Sequence, residues 1–310
     1  MTRDVDPDHA ADAAIAAAHE RVDAAWRGDR RYLLDIAYRM LGSIQEAEDV
    51  VQEGYARLLR ADVDEIVDVR GWLVVVVSRL SLDHLRSAHA RRETAAGPWL
   101  PEPVFGGPSS AQSVDPADRV TLDDSVRMAL LIVLEELSPA ERAAFVLHDV
   151  FQLPFESVGD IVGRSPAACR KLASRAREHV REHGQATRFT VEPTEHERVV
   201  RRFIDAASGG DLQALLEVLD PDVVGEADLG ANNFMLAQPV AGAINVAPRL
   251  LAIYGRPGIE FSCELVNGEP AAVARAERRV WAVVFLTARD GRVAEIHAVV
   301  DPEKLAHLQP

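Results

Sequence analysis

Cysteine is nearly missing from this sequence: Cys169 and Cys263 are the only two in 310 residues, and they lie too far apart for a metal knuckle or a CxxC pair. A disulfide framework or structural zinc is therefore not expected. Long apolar runs are missing as well. The longest, Trp72 to Val77 and Val280 to Leu286, fall far short of the roughly 20 residues that span a bilayer. Basic charge is in deficit, with 34 Lys and Arg against 49 Asp and Glu and a net charge of −15, which excludes a protein that coats nucleic acid by bulk attraction. The stretch from Thr2 to Trp26 carries Asp4, Asp6, Asp8, Asp12 and Asp23 where a secretory leader would have a basic head and an apolar block. A soluble chain with no membrane segment, working in the cytoplasm, is the expectation.

What is present reads as more than one folded unit. The length predicts about two domains, and 48% hydrophobic residues are enough for each to bury a core. From Asp29 to Thr94 the pattern is helical. A first helix stops at Gly42, Ser43 with Glu46 forms a capping box that starts a second helix running to about Arg60, and a third begins near Val69 or Gly71 and continues to about Glu93. Residues 96–116 are rich in proline, glycine and serine and read as a linker. Helical periodicity returns at about Ala117 and lasts to about His183, with breaks at Ser138-Pro139 and Leu153-Pro154. Beyond Gly184 two helical stretches flank Ser208-Gly209-Gly210-Asp211, and a third helix is expected over Ala247 to Tyr254. Four β-rich runs follow, two of the junctions being Asn267-Gly268 and Asp290-Gly291, which predict hairpins and a meandering antiparallel sheet.

The strongest local constellation is a helix pair. Phe155, Val158, Ile161 and Val162 share a face that Gly163 closes, and Ser165-Pro166 supplies an N-cap with proline at the first helical position. Cys169, Leu172, Ala173, Ala176 and Val180 then recur as a buried stripe, so Cys169 reads as a small core residue. Arg170, Lys171, Ser174, Arg175 and Arg177 lie on the opposite face, and six basic side chains against two acidic ones between Arg164 and His183 give this segment a balance of +4. That is the charge and geometry of a helix-turn-helix whose second helix enters the major groove, and also of an amphipathic helix with solvated arginines.

The helix from Ile44 to Arg60 carries Glu46, Asp49 and Glu53 as an acidic stripe, with Gln52 at its edge, a face that taken alone is simply solvated. More specific are Ala47-Glu48-Asp49-Val50-Val51-Gln52-Glu53, Arg70-Gly71-Trp72-Leu73 and Leu82-Asp83-His84-Leu85-Arg86. They resemble region 2 of the bacterial extracytoplasmic-function (ECF) sigma factors. The block with Leu137-Ser138-Pro139-Ala140-Glu141-Arg142 and Ser174-Arg175-Ala176-Arg177 is similar to their region 4. The resemblance implies two all-α sigma domains, region 2 over 26–95 and a region 4 helix-turn-helix over 117–184, that work with core RNA polymerase and promoter DNA and need no cofactor. It implies that Glu46, Asp49, Gln52 and Glu53 dock on the β′ clamp helices and that region 4 meets the β flap. The polar loop from Ala61 to Asp68, with Asp62 and Asp64, would capture a flipped base of the −10 element, and Trp72, Arg79, Asp83 and Arg86 would hold the neighbouring strand. The basic helix, with Arg164, Ser165, Ala168, Arg170, Lys171, Ser174, Arg175 and Arg177, would read the −35 element. Arg79, Asp83 and Arg86 do share one helical face, fit for phosphates and a base edge. Trp72 fits two places, against the melted strand or in the core of a helical domain.

Residues 193–308 extend past the sigma regions and resemble the α+β SnoaL-like cone, which encloses an apolar pocket and leaves room for a small-molecule ligand. ECF factors with such a tail also carry a Trp-Leu-Pro-Glu-Pro linker and a terminal Asn-Pro-Asp-Lys-Leu-like motif. Trp99-Leu100-Pro101-Glu102-Pro103 matches the first, and Asp301-Pro302-Glu303-Lys304-Leu305 is close to the second. The resemblance implies that Trp99, Leu100, Pro101, Glu102, Pro103, Asp301, Pro302 and Lys304 form a regulatory contact between domains. Isomerase-type chemistry would need pocket carboxylates, and Asp228, Glu295 and His297 are the candidates, although strand alternation equally puts Glu295 and His297 on a solvent face. A non-enzymatic tail acting in cis is the reading adopted. A SnoaL-type enzyme and a helix-turn-helix regulator that works without polymerase are the alternatives. The net charge speaks against a free-standing DNA binder.

Overall fold

The computed structural model describes residues 26–62, 65–92, 99–105, 127–183, 193–230, 238–255 and 257–309. The outer parts of the expected linker, 96–98 and 106–116, and the expected helical start at Ala117 fall outside these residues, as does Asp64. Among the described residues no helix is long and apolar enough to cross a membrane.

Helix α1 (residues 26–41) buries Leu33, Ile36, Ala37, Met40 and Leu41 and stops at Gly42, whose φ of 72° is the left-handed cap that glycine takes without penalty. Helix α2 (Ile44–Arg60) starts as expected at Ser43, whose Oγ accepts the Glu46 N–H at 3.2 Å. The other half of the capping box is not made among the described residues. Glu46 Oε2 is buried with no hydrogen bond, and Glu102, from the linker, takes a first-turn donor instead, the Ile44 N–H at 2.7 Å. Helix α3 (Val69–Arg92) buries Leu73, Val74, Val77, Leu82 and Leu85 together with Ser78 and Ser81. Its buried surface is wider than one amphipathic stripe because the helix is packed on two sides.

The second side belongs to the next helical block: α4 (Met128–Glu135), α5 (Pro139–Phe145), a π-helical turn (Val146–Val150), α6 (Phe155–Val162) and α7 (Pro166–His183). Side chains from α1 to α3 and from α4 to α7 merge in one apolar core running from Leu33 and Leu73 to Leu147 and Leu172. Buried Arg142 of α5 fastens the join, donating from Nε to the Arg39 carbonyl oxygen at 3.2 Å and pairing with Glu135.

The last third comprises α8 (Pro193–Ser208), α9 (Leu212–Val218), β1 (Leu219–Asp228), β2 (Val240–Ala241), α10 (Ala243–Tyr254), β3 (Ile259–Val266), β4 (Glu269–Ala276), β5 (Arg279–Arg289) and β6 (Arg292–Val299). The six-stranded sheet has the order β2-β1-β6-β5-β4-β3. β3 to β6 form the expected meander, with Asn267, Gly268, Asp290 and Gly291 all at positive φ in its turns. Two sequence expectations need correction. The sheet is not purely antiparallel, since β1 pairs parallel to β6, and Pro221 with three aspartates in β1 hides that strand from propensity. Helix α10 begins one turn before Ala247. Pro248 lies inside it, and the carbonyl it leaves without a helical donor belongs to Ile244, which is 80% exposed.

Both faces of the sheet are apolar. One packs under α8, α9 and α10 through residues such as Ala272, Val284 and Ile296 against Phe203, Leu215 and Val246. The other, formed by Ala271, Val273, Val283, Phe285 and Val299, packs against Leu100 of the linker and Met128 of α4. Burial of this second face ties the α+β domain to the linker and to the second helical block.

Candidate functional site

On α2, Asp49 and Gln52 project into solvent, whereas Glu53 is held by Arg57 at 2.9 Å, a bond that lowers its carboxyl below the usual range. Glu46, Glu48 and Glu53 are each part-exposed, Glu46 with its Oε2 buried and Glu48 3.5 Å from Arg30, and with Asp49 they make up the acidic face. Asp62 is exposed in the loop before α3. Trp72 is half-buried against the helical core. Arg86 pairs with Asp83 at 3.3 Å, and Arg79 donates to the Asp160 carbonyl oxygen of α6 at 2.9 Å. The helix expected at the −10 element is thus bonded to the first helix of the helix-turn-helix.

That motif is built as its sequence predicts, with Gly163 at φ 75° and the Ser165 Oγ accepting the Ala168 N–H at 3.3 Å. The turn also depends on Gly159, where a Cβ would lie 2.7 Å from the Arg164 carbonyl oxygen, a requirement no local pattern announces. Cys169 is fully buried, and burial pushes its thiol up, as suits a core residue. Arg164, Lys171 and Ser174 are exposed and Ala168 is half-buried. Arg170, Arg175 and Arg177 are braced by Glu156, Glu141 and Asp149 at 3.5, 3.1 and 2.7 Å, which fixes their guanidinium groups on the outer face of α7.

The linker residues lie where all three units meet. Glu102 donates its N–H to the Gly42 carbonyl oxygen at 2.8 Å, and its own carbonyl oxygen accepts the Tyr38 hydroxyl at 2.6 Å. Burial pushes that hydroxyl above its ordinary range, and it accepts in turn from Asn267 Nδ2 of the β3–β4 turn at 2.9 Å. Asn267 also accepts the Val104 N–H at 2.7 Å, and His307 Nε2 is 2.8 Å from the Pro103 carbonyl oxygen. Leu100 and Pro101 are buried. At the centre, Asp228 Oδ2 accepts the Leu100 N–H at 2.8 Å and Lys304 Nζ at 2.6 Å. Lys304 also donates to the Leu100 carbonyl oxygen, and its ammonium lies 3.9 Å from the centre of the Trp99 ring. Of the terminal motif, Lys304 thus reaches the linker, while Asp301 caps its own turn through the Glu303 N–H and Pro302 is exposed.

The strand register places Asp228, Glu226, His297 and Glu295 on the same sheet face as Val299 and Phe285. These groups therefore face the helical blocks. They are neither inside the cone under α8 to α10 nor on a solvent face, as the two sequence readings had them. Asp228 accepts from the Leu100 N–H, Lys304 Nζ and the Gly230 N–H. Sequence reasoning missed Tyr38, Asn267 and Glu269 as junction residues. An open groove of about 480 Å³ lies between the β4–β5 turn and the C-terminal segment, lined by Trp281, Val300, Leu305 and Arg279 among others.

Comparison with known proteins agrees with this architecture. The family described as Sigma-70 region 2 matches residues 26–91, and Sigma-70, region 4 matches residues 127–180. The probable ECF RNA polymerase sigma factor SigI of Mycobacterium tuberculosis is 47% identical over 294 residues, covering 94% of this chain and 97% of the relative. The ECF RNA polymerase sigma factor SigJ of the same species is 39% identical over 290 residues, covering 89% and 90%. The SigJ crystal structure superposes with a TM-score of 0.66 at 37% identity, over 89% of this chain and 95% of that one. With two sigma regions in the expected order and relatives that run through the tail, the chain belongs to the ECF RNA polymerase sigma factors.

Proposed function

We propose that this sigma factor, which directs core RNA polymerase to promoters, is held by its SnoaL-like tail in a closed form that cannot contact both promoter elements. The carrying observation is the bond from Arg79 of α3 to Asp160 of α6. The −10 and −35 elements lie roughly 25 base pairs apart, or ~85 Å at ~3.4 Å per base pair. Helices in direct contact do not bridge that distance, so the shared core of regions 2 and 4 must part before both elements are read. The linker is seated through Glu102 on Gly42 and Ile44 and, to either side, through Leu100 on Asp228 and Lys304 and through Val104 on Asn267, which makes parting depend on the tail.

In the open form Asp49, Gln52 and Glu53 dock on the β′ clamp helices, region 4 meets the β flap, and the loop around Asp62 captures the flipped −10 base. Arg79, Asp83 and Arg86 hold the strand, and α7 reads the −35 duplex through its outer face. Exposed Asp49 supports the first assignment. Asp49→Lys is expected to leave the melting temperature unchanged while weakening binding to core polymerase at least about tenfold, because it reverses the charge at the centre of the acidic docking face. Lys171→Ala is expected to weaken holoenzyme binding to all −35 duplexes alike and to lower the salt slope of that binding by about 1, as loss of a phosphate contact does.

Run-off transcription with core polymerase tests the whole reading. Promoter-dependent transcripts should appear with the full chain and rise when the linker–tail contact is broken. Transcription indifferent to every linker and tail substitution would remove the role of the tail in cis.

A further inference from the structure

Helices α2, α5, α7 and α9 start on caps of their own, Ser43, Ser138, Ser165 and Asp211, each accepting from a first-turn N–H. Helix α4, the first described helix of region 4, does not. Its N-cap residue is Arg127, which makes no side-chain cap, and its first turn, Met128-Ala129-Leu130, holds no acid. The acids of this segment, Glu135 and Glu136, stand at the other end. A helix is positive at its N-terminus and negative at its C-terminus, so these charges oppose the dipole. Eight residues are also fewer than the roughly 12–15 that sustain a helix without tertiary support.

The missing cap comes from the tail. Glu269 of β4 accepts the Met128 N–H at Oε1, 3.0 Å away, and so satisfies one of the donors that a helix start leaves open. Packing repeats the pattern. Leu131 and Leu134 enter the core shared by regions 2 and 4, whereas Met128 and Ile132 join Val273, Phe285 and Val299 on the outer sheet face. This short apolar helix is therefore held from two sides, and one of them belongs to the tail.

We infer that Glu269 is a positioning residue for region 4: it completes α4 across the domain boundary, so the first turn of α4 is fully formed only while the tail is docked. The inference rests on the closed reading above and adds that opening costs region 4 part of its own structure. Departure of the tail removes the acceptor of the Met128 N–H and uncovers Met128 and Ile132 at the same time. The first turn then keeps the bonds from the Leu130 and Leu131 N–H groups to the Arg127 carbonyl oxygen, both 3.1 Å. The effect reaches α7. Glu136, directly after α4, lies 2.8 Å from His179 Nε2, and Leu131 and Leu134 share their core with Leu172, Ala173 and Ala176, so α4 braces the basic helix and a frayed α4 leaves that brace incomplete.

Amide hydrogen exchange of the full chain, resolved by residue, tests this. Glu269→Ala should speed exchange at Met128, Leu130 and Leu131 by roughly fivefold, the effect of losing an N-cap, with α2 unchanged because it keeps Ser43. Glu269→Gln, which retains an acceptor oxygen for Met128, should restore most of the protection. Lys304→Ala, made elsewhere in the junction, should speed the same amides, and adding Glu269→Ala to it should change them little, since an undocked tail caps nothing. Slow and equal exchange at these amides in the parent and in Glu269→Ala overturns the inference. So does Glu269→Gln exchanging like Glu269→Ala, or the same fivefold effect persisting beside Lys304→Ala. Exchange that is fast at these amides in the parent and indifferent to every variant would instead show that no docked tail covers α4, and would overturn the closed reading itself.

Discussion

Lys304→Ala is expected to shift the chain from the closed to the open form by a factor of about 10²–10⁴. The Lys304 ammonium and the Asp228 carboxylate pair at 2.6 Å with side chains 9% and 5% exposed, so the pair is out of water. Removing one member of such a pair leaves the other as an uncompensated buried charge, at a cost of ~3–5 kcal/mol. Here the cost falls on the junction, because Asp228 holds the Leu100 N–H and Lys304 holds the Leu100 carbonyl oxygen and the Trp99 ring. Transcripts from reconstituted polymerase should increase, and dye pairs across the junction should separate. The double substitution Asp228→Asn with Lys304→Met removes both charges and keeps an acceptor for Leu100. It should recover most of the closed population, which distinguishes lost pairing from general damage. A single variant that transcribes and reports distances like the parent would show that the pair does not control opening.

Gly42→Ala is the second large effect. At φ 72° an added Cβ would lie 2.8 Å from Trp99 Cη2 and 3.0 Å from Glu135 Oε1, so the side chain would collide with the linker and with region 4 together. The left-handed backbone alone costs a non-glycine residue ~1–2 kcal/mol, and the collision adds to it by lifting Trp99 from its seat. A lower melting temperature and a gain in promoter-dependent transcription are expected together. Gly28, in the same helix, has nothing within 4 Å of an added Cβ, so Gly28→Ala should be neutral or stabilising in the same measurements. If both alanines behave alike, the fit of Trp99 against Gly42 is not what matters.

Much of this architecture is legible in the sequence because the signals are local. Ser43 before α2, Gly163 and Ser165-Pro166 around the turn, and Asn267-Gly268 in a hairpin each state a backbone conformation within a few residues, and each stands where it was read. The junction is different. Tyr38 and Asn267 are 229 residues apart and Leu100 and Asp228 are 128 apart, and periodicity carries no information about partners at such separations. Alternation along β6 correctly separates Glu295 and His297 from Ile296, but it cannot say that the face they occupy is covered by other domains instead of water. The Trp-Leu-Pro-Glu-Pro resemblance drew attention to the linker, whereas Glu269 and Asn267 carry no motif. Strand β1 was hidden because Pro221 and its aspartates suit a loop, and its parallel pairing with β6 outweighs that preference.

The contact between Lys304 and Leu100 spans 204 residues, which gives closure a place in time as well as in space. At ~5–20 residues per second, a ribosome delivers Lys304 about 10–40 s after Leu100. The apolar core shared by regions 2 and 4 contains no side chain beyond α7, so it can assemble while the tail is still being made. Each newly synthesised molecule therefore passes through an interval in which that core is formed and the contact that fastens the linker does not yet exist.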